Sequence, residues 1–471
     1  MSLLHAFALL AVSLDGSYVQ ELLDALNSKS DPTITTFITK RMATTATPAD
    51  WLKRFKPVVE QGAPFKLVKV VSATPREVRA LVQDKTQERL GLVMMLDDSK
   101  PPRITGLGMM DPESLTAPPP KDYTGWTSLQ TLAASIREDT KSPAIALAVS
   151  RDGKIEAVTD GVRVQGKPDK VGKDEVFHLG SITKSITSTL IGRLIDLGKL
   201  RFDTTLKEAL PDVAMKPEYE KVTVLDVMRH RGGLPQDMNF TAKRVQDIVA
   251  GETDPVKARA RYAADILGRA PREDRNFAYS NAGYALLGHI AERTMGKPYE
   301  ALLHELVFDP LGIKSAVVAE EPLPANAPSG HILGPEGPQP YNMRGPLGVI
   351  VAPAGAVSMS ISDLVRYGQA HLDGLRGKDG LLKAATIAKL HEGLEERPGD
   401  VLYACGWSVG PLPGTAKRHG HNGSNGTFIA ELAIFPATGL IVAAIVNRGG
   451  EAEPSPSLQA VMAVARKYAP R

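Results

Sequence analysis

Ser181 and Lys184 stand three positions apart in Phe177-His178-Leu179-Gly180-Ser181-Ile182-Thr183-Lys184-Ser185-Ile186, the only Ser-x-x-Lys in the chain. Ile182, Ile186, Leu190, Leu194 and Leu197 recur at helical spacing, which places Ser181 at a helix start. One turn then separates the two side chains on one face, and an amine nitrogen can reach the serine hydroxyl. A serine alone is a poor nucleophile at neutral pH, and a desolvated lysine is one of the few groups able to take its proton. The unpaired N–H groups of a helix start also favour the oxyanion formed when a serine attacks a carbonyl. The competing reading is a serine cap followed by a solvated lysine, and partner motifs elsewhere decide between the two.

Two such partners follow in order, Tyr279-Ser280-Asn281 and His421-Asn422-Gly423. With Ser181-Ile182-Thr183-Lys184 they resemble the three-element signature of the serine β-lactamase and penicillin-binding protein superfamily. Phe177-His178-Leu179-Gly180, His230-Arg231-Gly232-Gly233-Leu234-Pro235, Tyr279 through Gly288, and Pro310-Leu311-Gly312 are similar to its class C β-lactamase branch, which holds serine esterases, D-aminopeptidases and D,D-peptidases. The resemblance runs from about Thr127 to the C-terminus. It implies Ser181 as the acylated nucleophile, Lys184 as the group that takes or relays its proton, and Tyr279 as general acid/base. It also implies Asn281 against the substrate carbonyl or the lysine, and an oxyanion hole from the N–H groups of Ser181 and Ser424. His178, His230, His391 and His421 all sit in His-x-Gly, and only His421 precedes a strand near the C-terminus, where the family places its Lys-Thr-Gly or His-Thr-Gly edge strand.

Two departures from that pattern matter, and the histidine form of the third motif bears on the activity. Histidine for lysine at 421 fits the esterase and D-peptidase branches better than a β-lactamase, because a fixed carboxylate-binding charge is missing. Asn422 replaces the usual hydroxyl residue, and Ala270 to Arg275 lacks the glycine many relatives carry before the tyrosine. An α/β-hydrolase elbow fails at Asn422-Gly423-Ser424-Asn425-Gly426, where asparagine stands in place of the first glycine. No His, Asp or Glu spacing points to a metal, and the chemistry asks for no cofactor.

The elements that must position these groups can be read in order. Tyr18 to Phe37 is helical, with Val19, Leu22, Leu23 and Leu26 on one face and a second helix starting at Asp31-Pro32. Phe65 to Val71, Leu90 to Leu96 and Arg103 to Met109 read as strands, and the helix-then-sheet order resembles NTF2-like or cystatin-like modules. After three prolines at 118–120 come a helix at Leu129 to Ile136 and a hairpin, Ala144 to Val149 and Ile155 to Val158, turning at Arg151-Asp152-Gly153-Lys154. Val222 to Met228 reads as a short helix and Gly251 to Gly268 as a charged, solvated helical insertion; Ala354 to Leu372 is a further helical stretch capped by Ser362-Asp363. Tyr403 to Trp407 reads as a strand in which Cys405, the single cysteine, is a small packing residue. Phe428 to Phe435 and Leu440 to Val446 are strands, and Ser457 to Tyr468 closes the chain as a helix.

The expected architecture is α+β: a possible signal segment (1–14), a small α+β accessory domain (15–113), a Pro-rich linker (114–126) and a β-lactamase/transpeptidase-like domain (127–471). In the last, one antiparallel sheet draws strands from both ends and is flanked by helices. The 471 residues carry a net charge of +3 from 56 basic and 53 acidic side chains, with no basic run interleaved with aromatics, which argues against nucleic acid as a partner. No stretch reads as a bilayer span, and the apolar run Leu3 to Leu14, with Ala11-Val12-Ser13 as a cleavage site, points to export to the periplasm or beyond. The expected activity is esterase-like hydrolysis of small esters, amides or peptides through an acyl-enzyme. Its rivals are a D,D-carboxypeptidase or D-aminopeptidase, a β-lactamase, and a penicillin-binding sensor that acylates without turnover.

Overall fold

The computed structural model describes residues 17–470 apart from 44–46, 75–76, 98, 111, 113–114, 116–120, 122, 235–246, 249–250, 273–275, 335, 342–345, 398–400 and 451–453. The Leu3 to Leu14 run, the prolines at 118–120 and Glu273 to Arg275 therefore lie outside the described residues, as do parts of the loops at 236–269 and 322–344. Two compact units are present, divided between Lys121 and Asp122.

In the first unit α1 (Ser17–Asn27), α2 (Asp31–Arg41) and α3 (Pro48–Gly62) precede an antiparallel sheet of β1 (Lys66–Thr74), β2 (Glu77–Gln83), β3 (Arg89–Leu96) and β4 (Ile104–Met110), paired in that order. Val19, Leu22, Leu23 and Leu26 turn inward, and with Phe37 and Phe55 they meet Val78, Ala80, Val82, Leu92 and Met94 of the sheet. α3 and β2 have weaker sequence signals. α3 is started by a capping box of Thr47 and Asp50, and β2 shows no alternation because its five middle residues are all buried.

The second unit contains β5 (Ala144–Arg151), β6 (Lys154–Gly161), β7 (Phe177–His178), β8 (Val317–Val318), β9 (His331–Gly334), β10 (Gly337–Pro340), β11 (Val357–Met359), β12 (Glu395–Arg397), β13 (Val401–Tyr403), β14 (Ser408–Pro411), β15 (Lys417–Ser424), β16 (Ile429–Phe435) and β17 (Leu440–Val446). Eight of them form one sheet in the order β12-β13-β14-β15-β16-β17-β5-β6. Strands from the start of the unit thus pair with strands from its end, the expected α+β arrangement. The β5–β6 turn uses positive φ at Asp152 and Gly153.

The helices of this unit include α4 (Leu129–Asp139), α5 (Thr183–Asp196), the short α6 (Val224–Met228), α7 (Pro255–Leu267), α8 (Asn281–Met295), α9 (Ile361–Leu375) and α10 (Pro456–Tyr468). Alternate residues along β16, β17 and β5 divide between two cores: Ile145, Leu147, Val442 and Ala444 meet α4 and α10, while Ala146, Ala148, Leu432 and Ile441 meet the helical layer that contains α5 and α9.

Three expectations are corrected and one is sharpened. Ala354 to Leu372 is not one helix: Val357 and Ser358 are drawn into β11, which pairs with both β7 and β8, and α9 starts afterwards with Ser360 as its cap. Asp363 instead accepts hydrogen bonds from the backbone N–H groups of Lys314 and Ser315. Tyr403 to Trp407 is not one strand, because Cys405 and Gly406 turn the chain from β13 into β14 with Gly406 at φ +72°. The insertion carrying α7 is not merely solvated, since Arg259 is fully buried between Glu292 and Glu300. Finally, His421 not only precedes the strand read at Phe428 to Phe435 but lies inside a strand of its own, β15.

Candidate active site

Ser181 sits in a single 3-10 turn, Gly180–Ile182, that leads directly into α5. Gly180 takes φ +53°, and its N–H donates to His178 Nδ1 at 3.0 Å. β11 pins the turn from the side, because Val357 O accepts from Leu179 N at 2.9 Å and Val357 N donates to Thr183 Oγ1 at 3.1 Å. α5 is buried on all faces, so its hydroxyls find partners inside: Thr187 donates to Pro353 O, and Ser188 meets Tyr284.

Lys184 is fully buried, and its ammonium has three donors facing three acceptors. Nζ lies 3.0 Å from Ser181 Oγ, 2.6 Å from Asn281 Oδ1 and 2.7 Å from Ala354 O. Carbonyl oxygens can only accept, so in the neutral amine the two N–H bonds go to Asn281 and Ala354. The lone pair is then left facing the Ser181 hydroxyl. The same geometry holds the cation and the base, and the proton that distinguishes them lies on the line to Ser181.

Tyr279 is half-buried on the loop before α8, which Ser280 caps through Gly283 N–H. Lys184 Nζ is 4.8 Å from the centre of the Tyr279 ring, and the centre of the His230 ring lies 4.5 Å from it. The hydroxyl of the nucleophile, the amine and the phenol ring thus share one site, drawn from α5, α8 and the loop ahead of it.

The strand segment His421 to Ser424 completes it. β14 pairs with β15 only from Lys417 to Gly420, so the last four residues run past the end of β14 and along the nucleophile turn. They pass so closely that a Cβ on Gly423 would fall 2.0 Å from Leu179 O and 2.6 Å from Ser181 N, while one on Gly180 would fall 2.3 Å from Ser424 N. Glycine is required at both crossings, and the amides of Ser181 and Ser424 flank the same seam. Asn422 and Ser424 are exposed, whereas His421 is buried, with Nε2 3.2 Å from Tyr403 Oη. A cavity of about 560 Å³ opens nearby, lined by His178, Leu323, Ala356, Asn425 and Phe428 among others.

Sequence reasoning missed Tyr403, which no motif flags, and Ala354, whose contribution is a backbone carbonyl. It also missed a row of histidines beside α5, two of them buried and His419 half-buried. His371 Nε2 is 3.0 Å from Thr189 Oγ1, its Nδ1 is 2.9 Å from His391 Nε2, and His391 Nδ1 is 3.1 Å from His419 Nδ1. Trp407 packs on the first two, with ring centres 4.7 and 4.4 Å away. Burial lowers all three, His371 to about 3, His419 to about 4 and His391 well below the ordinary histidine value. Burial pushes the Cys405 thiol up to about 12.

This sheet, with a Ser-x-x-Lys turn held against one of its strands, defines a serine hydrolase of the β-lactamase and penicillin-binding protein superfamily. A family profile described as Beta-lactamase matches residues 129–467, and the chain belongs to that family. Penicillin-binding protein 4 of Amycolatopsis lactamdurans is 30% identical over 345 residues, covering 70% of this chain and 86% of that protein. Among solved structures, the octameric penicillin-binding protein homologue from Pyrococcus abyssi superposes with a TM-score of 0.60 at 24% identity, over 71% of this chain and 76% of that one. The D-amino acid amidase from Ochrobactrum anthropi SV3 gives a TM-score of 0.60 at 20% identity, over 72% of this chain and 96% of that one. Among the described residues, no helix is long and apolar enough to cross a membrane.

Proposed function

We propose that the chain hydrolyses small esters or amides through an acyl-enzyme on Ser181, with esterase-type turnover as its readiest activity. Ser181 Oγ attacks the carbonyl carbon as its proton passes to the Lys184 amine, the oxyanion is held by the N–H groups of Ser181 and Ser424, and Tyr279 returns a proton to the leaving group. Water then attacks the acyl carbon by the reverse route and frees the serine. The observation that carries this reading is the Lys184 amine, 3.0 Å from Ser181 Oγ and tied on its other two bonds to groups that can only accept. Asn281 serves here as an anchor for the lysine, and His421, Asn422 and Gly423 line the strand beside the substrate.

The test is hydrolysis of p-nitrophenyl acetate by the full chain and by Ser181→Ala, with intact-mass detection of an acetyl adduct. Turnover is expected only with the serine present, and equal rates in the two proteins would end the proposal. A second reading is a D-specific amidase or peptidase, supported by the superposition on a D-amino acid amidase. Paired D- and L-amino acid amides separate it from a plain esterase. Similarity to a penicillin-binding protein supports a third arm, in which a penicillin forms an adduct that persists without product.

A further inference from the structure

We infer that Tyr403 is a positioning residue of this site: its hydroxyl, held between His230 and His421, ties the loop bearing Tyr279 to the strand segment His421 to Ser424 by joining two histidines whose backbone partners hold them in opposite tautomers. The inference rests on the hydrolase reading above for its kinetic consequence, and on geometry alone for the tautomers.

The chain of bonds has a direction. Ser280 N–H donates to His230 Nδ1 at 3.1 Å, so that nitrogen carries no proton, and the proton of His230 is on Nε2. Nε2–H faces Tyr403 Oη at 3.2 Å. At the far end His421 Nδ1 faces the Asn422 carbonyl, which can only accept, so the proton of His421 is on Nδ1. Its Nε2 is left as the acceptor for the Tyr403 hydroxyl, 3.2 Å away. Protons therefore point one way, from Ser280 through His230 and Tyr403 to His421 and the strand backbone. Tyr403, His230 and His421 are all buried, where directed bonds of this kind gain strength and a missing one is costly.

Each end of the chain touches the proposed chemistry. The His230 ring rests 4.5 Å from Tyr279 and 5.0 Å from Tyr403, and Ser280, whose N–H starts the chain, caps α8 beside Asn281. At the other end, Asn422 is two residues from the Ser424 amide. With one ring nitrogen of His421 turned to Tyr403 and the other to its own backbone, neither is offered to a substrate carboxylate.

The experiment uses the full chain and Tyr403→Phe, which keeps the ring and removes the hydroxyl. In histidine-selective 15N spectra of the unaltered protein, His230 is expected as the Nε2–H tautomer and His421 as Nδ1–H, and Tyr403→Phe is expected to shift the Nε2 resonances of both rings, which lose their shared partner, while the backbone contacts at Nδ1 remain. With p-nitrophenyl acetate, kcat should fall roughly 10- to 100-fold while KM stays within about threefold, the pattern of a misplaced reacting group rather than a lost contact. Nε2–H on His421 in the unaltered protein, or a kcat within about twofold in a folded Tyr403→Phe, would overturn the inference. The tautomers are read without substrate, so absent turnover would sink the hydrolase reading while leaving this one decided by the spectra.

Discussion

The histidine row makes stability depend on pH in a window where carboxylates contribute little. Each of its imidazoles is lowered by burial, so the unfolded chain binds protons near pH 6.5 that the folded chain refuses until far lower pH. Because the unfolded state holds more protons in between, stability is complete above about 6.5 and is lost as pH falls from there toward the folded values. For His371 those limits are 6.5 and about 3. At about 1.4 kcal/mol per pH unit, moving from pH 7.5 to pH 5 costs about 2 kcal/mol for one such group. His391 is packed between His371 and His419, and replacing it with glutamine removes one titrating ring. The assay is urea unfolding at pH 7.5, 6.5, 5.5 and 5.0, followed by tryptophan fluorescence, to which Trp407 beside the row contributes. The unaltered protein should lose about 2 kcal/mol or more across the series, and His391→Gln should lose less by roughly 1–2 kcal/mol, whatever its stability at pH 7.5. A flat profile, or parallel profiles for the two proteins, would refute the reasoning.

Gly423→Ala should cost about 1–3 kcal/mol and most of the ester hydrolysis, because the added methyl meets Leu179 O and the Ser181 amide; thermal unfolding and kcat report the two effects. Arg259→Met should destabilise by about 3–5 kcal/mol, measured by urea unfolding, since Glu292 is left charged and buried among α7, α8 and Tyr299. Cys405 should resist a thiol-specific disulfide reagent at pH 8 in the folded protein and react once urea is added, because the buried thiol stays protonated.

Much of the sheet and the order of the site motifs could be read from residues alone. Ser181, Lys184, Tyr279, Asn281 and the His421 to Ser424 segment occupy one site, because short motifs with fixed spacing carry their geometry with them. Long apolar runs such as Leu440 to Val446 and the Asp152-Gly153 turn were equally plain. What escaped were groups whose role depends on distant partners. Val357 to Met359 continues a helical pattern and becomes a strand only because Phe177 and Val317 offer edges on both sides. Tyr403 and His230 stand 173 positions apart, and their contact exists only after the sheet has assembled. Arg259 reads as a surface charge until Glu292 and Glu300 arrive from other helices.

The span from Ala354 to Val357 serves the lysine at one end and the nucleophile turn at the other. Four consecutive residues thus act as a ruler between two fixed marks. Adding or deleting one of them would swing the Ala354 carbonyl out of reach of the amine or shift the Val357 amide off Thr183, so length variation is barred here and must be absorbed elsewhere, as in the stretch that follows β8.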